Sequence, residues 1–103
     1  MKTIPKEVKD AARLGLKLHD MGYKGGTSVG WNRAKELLSE TFINEITEKE
    51  MKAWLARHKK TSYPGYVKWV KKGQPMDGTN KTEYRGAVAW LLWGGDAAYS
   101  WLR

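Results

Sequence analysis

Residues 90–101 read Trp90-Leu91-Leu92-Trp93-Gly94-Gly95-Asp96-Ala97-Ala98-Tyr99-Ser100-Trp101, with three tryptophans in twelve positions. Such a run is more often the hydrophobic centre of a small domain than a ligand-binding box, because aromatic side chains bury large apolar areas. The two glycines let the chain turn sharply while both flanks stay packed. Asp96 is expected to cap one final helical turn, although its carboxylate is also able to bind a ligand or a metal ion. We expect a core built around Trp54, Leu55, Trp90, Leu91 and Trp93.

Apolar residues recur at helical spacing over most of the chain, which predicts an all-α fold of four to five short helices. A length of 103 residues suits one domain, so residues 1–103 are expected to form a single helical domain. No segment shows sustained strict alternation, so a sheet is not favoured. Residues 73–83 are rich in turn-forming residues and predict a long exposed loop. The predicted helices span residues 5–21, 28–38, 47–60, 66–72 and 84–93, followed by a turn at 97–102.

Local signals predict where these helices begin and end. Gly22 is a plausible stop for the first helix, and Thr27 or Ser28 is expected to cap the second. Thr47 and Glu50 have the spacing of a capping box for the third helix. Residues 67–70, within the fourth predicted helix, are also compatible with a short strand. The inward faces are expected to carry Val29, Ala34, Leu37 and Leu38 on the second helix, and Met51, Trp54, Leu55 and His58 on the third.

The chain is strongly basic, with 19 lysines and arginines against 11 acids and a net charge of +8. This charge costs self-repulsion in the folded state, so an anionic partner is the simplest explanation for it. The absence of cysteine excludes disulfides, thiol nucleophiles and cysteine-containing metal sites. We see no signal peptide and no apolar run of the ~20 residues that span a bilayer, so the expected compartment is the cytoplasm, with no membrane partner.

Charge is segregated along the chain, because residues 51–76 contain seven cations and no acid. Cations neutralise phosphates, and interleaved aromatic faces stack on unpaired bases. The alternative is a solvated basic face whose aromatic residues pack inward, as a small domain needs. The expected nucleic-acid contacts of this segment are Arg57, Lys59, Lys60, Lys68, Lys71 and Lys72, with Tyr66 and Trp69 as stacking residues; Arg33 is added from outside it.

A glycine-rich loop, Lys24-Gly25-Gly26-Thr27-Ser28, precedes the second helix. Free backbone N–H groups at a helix start attract phosphate, and Lys24 and Arg33 are expected close by. The loop is neither a Walker loop nor a dinucleotide fingerprint, since the Gly-Lys-Ser/Thr ending and a preceding strand are both missing. The alternative is a tight turn between two helices.

No pattern typical of an enzyme is present. His19 and His58 fall on different predicted helices, and no metalloprotease, serine-hydrolase or paired-acid motif occurs. A hydrogen-bonded core role suits His58 better than a catalytic one. We therefore expect no catalytic residue, no metal site and no cofactor.

Several short motifs together resemble a small module common in bacteriophage genomes. They are Gly25-Gly26-Thr27, Gly30 with Arg33-Ala34, Arg57-His58, and Ala89-Trp90-Leu91-Leu92-Trp93-Gly94-Gly95-Asp96-Ala97 with Trp101. The module stands alone or is attached to larger phage proteins, including head-maturation and structural proteins, and has no secure activity. The resemblance covers about residues 5–102 and implies a phage origin and a helical fold, with Arg33, Arg57, His58, Trp93 and Asp96 as signature positions. The family's charged glycine-rich stretch after Arg57-His58 is replaced here by Tyr63-Pro64-Gly65 and the basic run.

The expected function is that of a phage-encoded, non-enzymatic accessory protein that binds nucleic acid through the basic surface of residues 51–76. It is expected to act in the cytoplasm of the infected bacterium, or in the virion. The alternative is a protein-interaction module in phage head assembly, or one that inhibits a host enzyme, because aromatic residues are enriched at interface cores. A small nuclease or glycan-cleaving enzyme is the third and weakest hypothesis.

Overall fold

Six helices and one short strand pair make up the structure, a computed structural model that describes residues 1–103. The all-α prediction is confirmed, and residues 67–70 are helical. No helix combines the length and the apolar character needed to cross a membrane. The elements are β1 (Lys2–Thr3), α1 (Lys6–Asp20), α2 (Ser28–Ser39), β2 (Phe42–Ile43), α3 (Glu45–His58), α4 (Tyr63–Lys71), α5 (Arg85–Leu92) and α6 (Gly95–Leu102).

The helix α5 lies at the centre of the core and packs against α1, α2, α4 and α6. After Arg85 its sequence carries no polar side chain on any face, which is the pattern of a helix packed on most sides. Five of its eight residues are buried, among them Trp90 and Leu92. The core joins 20 buried residues and draws on every helix, and the tryptophan-rich stretch contributes Trp90, Leu91, Leu92, Trp93 and Ala98 to it.

Gly15 allows α1 and α5 to touch through their backbones. A Cβ placed on Gly15 would lie 2.8 Å from the backbone nitrogen of Leu92 and 3.1 Å from the carbonyl carbon of Leu91. Real Cβ atoms essentially never approach to 2.8 Å and rarely to 3.1 Å, and both neighbours are backbone atoms that cannot move aside as the end of a flexible side chain can. The glycine therefore sets the distance between the two helices.

The start of α3 differs from the expected capping box. Asn44 is the cap residue, and its side-chain oxygen accepts a hydrogen bond from the backbone N–H of Thr47 at 2.8 Å. This start brings Glu45 and Glu48 into the first turn, where the helix dipole favours acids. Thr47 is buried inside the helix. The prediction of Thr47 as the cap was therefore wrong by three residues.

Four other local expectations need correction. Val29 is 60% exposed, and Gly30 takes the inward position beneath Trp93. Thr27 precedes α2 as expected but makes no side-chain capping bond. Asp96 does not cap α6, because α6 already begins at Gly95, after Gly94 with its φ of 99°. A two-residue antiparallel pairing also occurs, with Lys2–Thr3 against Phe42–Ile43.

The loop over residues 73–83 has no regular structure, as expected, yet it is tied to the core. The indole N–H of Trp69 donates to the carbonyl of Pro75 at 3.0 Å. The backbone N–H of Gly78 donates to the hydroxyl of Tyr23 at 3.0 Å. The loop is thereby fixed at both α4 and the segment after α1.

We predict that Gly15→Ala destabilises the protein, although the same change at an open helical site gains ~1 kcal/mol. The added methyl must push α5 away from α1, and overpacking of this kind costs about 1–3 kcal/mol. Urea denaturation measures the free energy of unfolding, with Lys17→Ala on the exposed side of α1 as the control. A Gly15→Ala protein as stable as the wild type would show that the two helices do not approach as described.

Candidate functional site

The acid-free segment 51–76 forms the second half of α3, the turn after it, and α4. Lys59 and Lys60 follow the C-terminal end of α3, where the helix dipole favours cations. Only one of its seven cations has a carboxylate partner, because the protein's other ion pairs involve Lys2, Lys6, Arg13 and Arg33. The cations without a carboxylate partner are Lys52, Arg57, Lys59, Lys60, Lys71 and Lys72.

Lys68 is the exception within this segment. Its Nζ lies 2.9 Å from Oε1 of Glu83, in the loop before α5. Both side chains are partly exposed, so salt screens the pair and it contributes little to stability. The pair nonetheless neutralises Lys68 locally, so Lys68 is a weaker phosphate ligand than the sequence suggested.

Trp69 was wrongly assigned as a stacking residue. Its side chain is 0% exposed and points from α4 into the core, and its indole N–H donates a hydrogen bond to the carbonyl of Pro75. A base has no access to its ring. The spacing of α4 turns Trp69 towards α5, and Tyr66, one turn earlier, stays half-buried with part of its ring at the surface.

Arg33 was also wrongly assigned as a phosphate contact. Its side chain is 11% exposed, and its guanidinium binds Glu36 at 2.6 Å and Glu50 at 3.0 Å. It also donates to the hydroxyl of Thr47 at 3.4 Å. Arg33 therefore joins α2 to α3, and its charge is already balanced by two carboxylates.

A tyrosine surface lies on one side of α4 and is defined here by Tyr63, Tyr66, Tyr99, Lys59 and Arg103. The Nζ of Lys59 lies 4.2 Å from the ring centroid of Tyr63 and 5.5 Å from that of Tyr99. The guanidinium of Arg103 lies 5.8 Å from the Tyr99 centroid. Sequence analysis missed Tyr99 and Arg103, because only the folded chain brings α6 beside the end of α3.

Asp96 links this surface to the core. Its Oδ1 accepts a hydrogen bond from the buried indole N–H of Trp90 at 2.9 Å. Burial, the charge of Asp96 and the neighbouring Tyr63 together raise the pKa of Tyr66 above its ordinary value of 10.0. Tyr66 therefore keeps its proton at neutral pH and offers a hydroxyl donor at the surface.

Four stacked groups form a column on the other side of the core. The guanidinium of Arg33 lies 5.5 Å from the Trp93 centroid, and Trp93 stacks on Trp54 at 4.8 Å with an interplanar angle of 8°. Trp54 in turn stacks on His58 at 4.0 Å and 10°. The column packs α2, α3 and the end of α5 together. It brings together Arg33, His58 and Trp93, three of the positions implied by the phage resemblance.

A groove of about 540 Å³ runs along this column and is lined by Trp54, Arg57 and His58. Nδ1 of His58 lies 2.9 Å from the carbonyl of Trp54, its partner four residues earlier. Because a carbonyl oxygen only accepts, Nδ1 carries the proton and donates this hydrogen bond. Nε2 is the ring nitrogen that takes no part in it. Arg57 is exposed and has no carboxylate partner within 4.0 Å, so it is the groove's available cation.

The structure does not gather metal-ligating side chains, since no three His, Asp or Glu residues converge on one point. The first three residues of the glycine loop, Lys24 to Gly26, border a separate cavity with His19, Trp31 and Arg85, while Thr27 of the same loop lines the groove. Comparison of the chain with protein-family models, with curated proteins and with solved structures found no match.

We predict that Asp96→Ala destabilises the protein by about 1–3 kcal/mol, because it leaves the buried Trp90 N–H without an acceptor. Asp96→Asn keeps an acceptor oxygen at the same place and is expected to cost less. The free energy of unfolding of both variants, measured in urea, separates a structural carboxylate from a functional one. Equal losses in the two variants would show that the negative charge matters, and not the hydrogen bond.

Proposed function

We propose that the protein is a non-enzymatic nucleic-acid-binding module that contacts phosphates through the carboxylate-free cations of segment 51–76. The observation that carries the proposal is that six of the seven cations in this segment have no carboxylate partner. Elsewhere in the chain, four cations are paired with a carboxylate: Lys2, Lys6, Arg13 and Arg33. Free cations release condensed counterions when they meet a polyanion, and this drives binding.

The two ends of α4 present cations that suit a phosphate backbone. Lys59 and Lys60 precede the helix, and Lys71 and Lys72 end it. Nine helical residues span about 13 Å, close to four base-pair steps along one strand of duplex DNA. Such contacts position a strand without reading its sequence, so we expect sequence-independent binding.

The tyrosine surface favours single strands over duplexes. Tyr63, Tyr66 and Tyr99 are half-buried, so each is anchored in the core while part of its ring meets solvent. An aromatic face stacks on any unpaired base and contributes about 1–3 kcal/mol for each base. Lys59 lies beside two of these rings and would neutralise the adjoining phosphate.

The resemblance to a phage module also supports a proposal about where the protein acts. A phage-encoded accessory protein of this kind would act in the cytoplasm of the infected bacterium or inside the virion. Its role would be to hold single-stranded segments without modifying them.

A protein-interaction module, in head assembly or in the inhibition of a host enzyme, is the second candidate. Met1 is 81% exposed, Ile46 70% and Phe42 48%, and Met1 and Phe42 border a shared cleft of about 240 Å³. Exposed apolar side chains near one another favour contact with a protein. A phage or host protein that binds after nuclease treatment, and no longer binds Phe42→Ser protein, would favour this candidate.

The proposed function predicts salt-dependent binding to single-stranded oligonucleotides that lack terminal phosphates. Fluorescence anisotropy at several salt concentrations gives the slope of log affinity against log salt. The double variant Lys59→Gln/Lys60→Gln should bind more weakly, with a slope smaller by about 1.4, because each phosphate contact on a single strand contributes about 0.7. The matched control Lys17→Gln/Lys35→Gln removes the same charge from α1 and α2 and should bind nearly as the wild type.

Two results would contradict the proposal. Binding that is absent at low salt, or that does not change with salt, removes the phosphate contacts on which it depends. An equal loss in the two double variants would show that net charge acts, and not the surface of segment 51–76.

A further inference from the structure

The glycine loop borders a cavity of about 360 Å³ that the proposed function does not use. The cavity lies between the end of α1, the loop before α2, the first turns of α2 and the start of α5. Its eight lining residues include Lys24, Arg85 and His19 and no acid. The charged residues of its lining are therefore all basic.

Two cations from distant parts of the chain line this cavity, and a third lies next to it. Lys24 belongs to the loop, Arg85 begins α5, and the ammonium of Lys81 lies beside Gly22, 3.2 Å from where a Cβ of Gly22 would stand. None of the three has a carboxylate within 4.0 Å. The sequence placed Arg33 beside the loop, and the fold supplies Arg85 in its place.

Backbone contacts hold these cations in position. The N–H of Lys24 donates to the carbonyl of Lys81 at 2.8 Å. Gly25 lies directly against the carbonyl of Arg85, where any side chain would collide with it, and its φ of 134° is one that glycine alone adopts easily. The three segments are thus joined without a carboxylate to balance their charge.

The position of Arg85 is electrostatically unfavourable without a ligand. It is the first residue of α5, no acid lies in that first turn, and Tyr84 provides no capping hydrogen bond. The positive end of the helix dipole repels a cation there. A bound anion would offset this repulsion and the mutual repulsion of the three cations.

An aromatic wall completes the cavity. His19 stacks on Trp31 with ring centroids 4.2 Å apart, and both residues line the cavity. The indole N–H of Trp31 is buried beside Gly26 and donates to no protein acceptor. Ligand pockets characteristically combine such an aromatic wall with a few charged groups.

We infer that this cavity binds a nucleoside 5′-phosphate, with the phosphate beside Lys24, Lys81 and Arg85 and the base towards His19 and Trp31. The ligand is either a free nucleotide or the 5′-phosphorylated end of a strand, which share this chemistry. The site uses none of the cations of segment 51–76, so it stands or falls independently of the proposed function.

Calorimetric titration with a nucleoside 5′-monophosphate tests the inference. The variant Lys24→Gln/Arg85→Gln should weaken binding by about tenfold or more, because each lost charge-assisted hydrogen bond is worth about 1.5–3 kcal/mol. The control Lys59→Gln/Lys60→Gln should bind the nucleotide as the wild type does. Should Lys24→Gln/Arg85→Gln fail to fold by circular dichroism, Lys81→Gln on the exposed loop replaces it, with the same expected direction.

Further ligands distinguish the sources of the phosphate. If the protein prefers a 5′-phosphorylated oligonucleotide over an unphosphorylated one, and Lys24→Gln/Arg85→Gln removes that preference, the ligand is the strand end. If the protein binds the mononucleotide but shows no such preference between oligonucleotides, the ligand is the free nucleotide. The indole N–H resonance of Trp31, identified by its loss in Trp31→Phe, should shift on binding. No heat and no shift at millimolar nucleotide overturn the inference, as does equal binding of the unphosphorylated nucleoside. Equal binding of inorganic phosphate overturns the nucleotide assignment.

Discussion

The backbone contact between α1 and α5 at Gly15 determines where every candidate site lies. Because no side chain separates the two helices there, α5 sits deep enough to be covered on four sides. From that position it directs Trp93 towards α2 and α3, and Trp90 towards α4 and α6. Its first residue, Arg85, reaches the glycine loop. One buried helix thus supports the groove, the tyrosine surface and the basic cavity.

The sequence predicted the elements better than their ends. Apolar spacing depends on the helix period, which is local, so α1 to α5 and the loop after α4 were found. Helix caps depend on competition between nearby polar side chains. Asn44 takes the start of α3 because this register brings Glu45 and Glu48 into the first turn and leaves Thr47 to face Arg33. Nothing in the residues 47–50 alone reveals that competition.

Side-chain roles were predicted less well, because they depend on long-range partners. Arg33 and Glu36 are three residues apart on one helix, so their contact is predictable from helical spacing. The contact of Arg33 with Glu50 requires α2 to pack against α3. Trp69 lies among basic residues in sequence, yet the packing of α4 on α5 buries it. In the same way, Arg85 and the glycine loop are 60 residues apart and meet only in the fold. A cation in the first turn of an uncapped helix was the one local signal for Arg85.

The groove along the ring column is larger than the glycine-loop cavity, yet it is the poorer site for an anion. The one arginine that lines it is Arg57, and the same lining includes the acid Glu50. An incoming phosphate would meet one free guanidinium beside a carboxylate of Glu50, which also lines the groove. The basic cavity is lined by Lys24 and Arg85 and by no acid, and Lys81 lies beside it, so the electrostatic gain on binding is larger there. The ring column is better explained as the packing that joins α2 to α3, with the groove as its exposed edge.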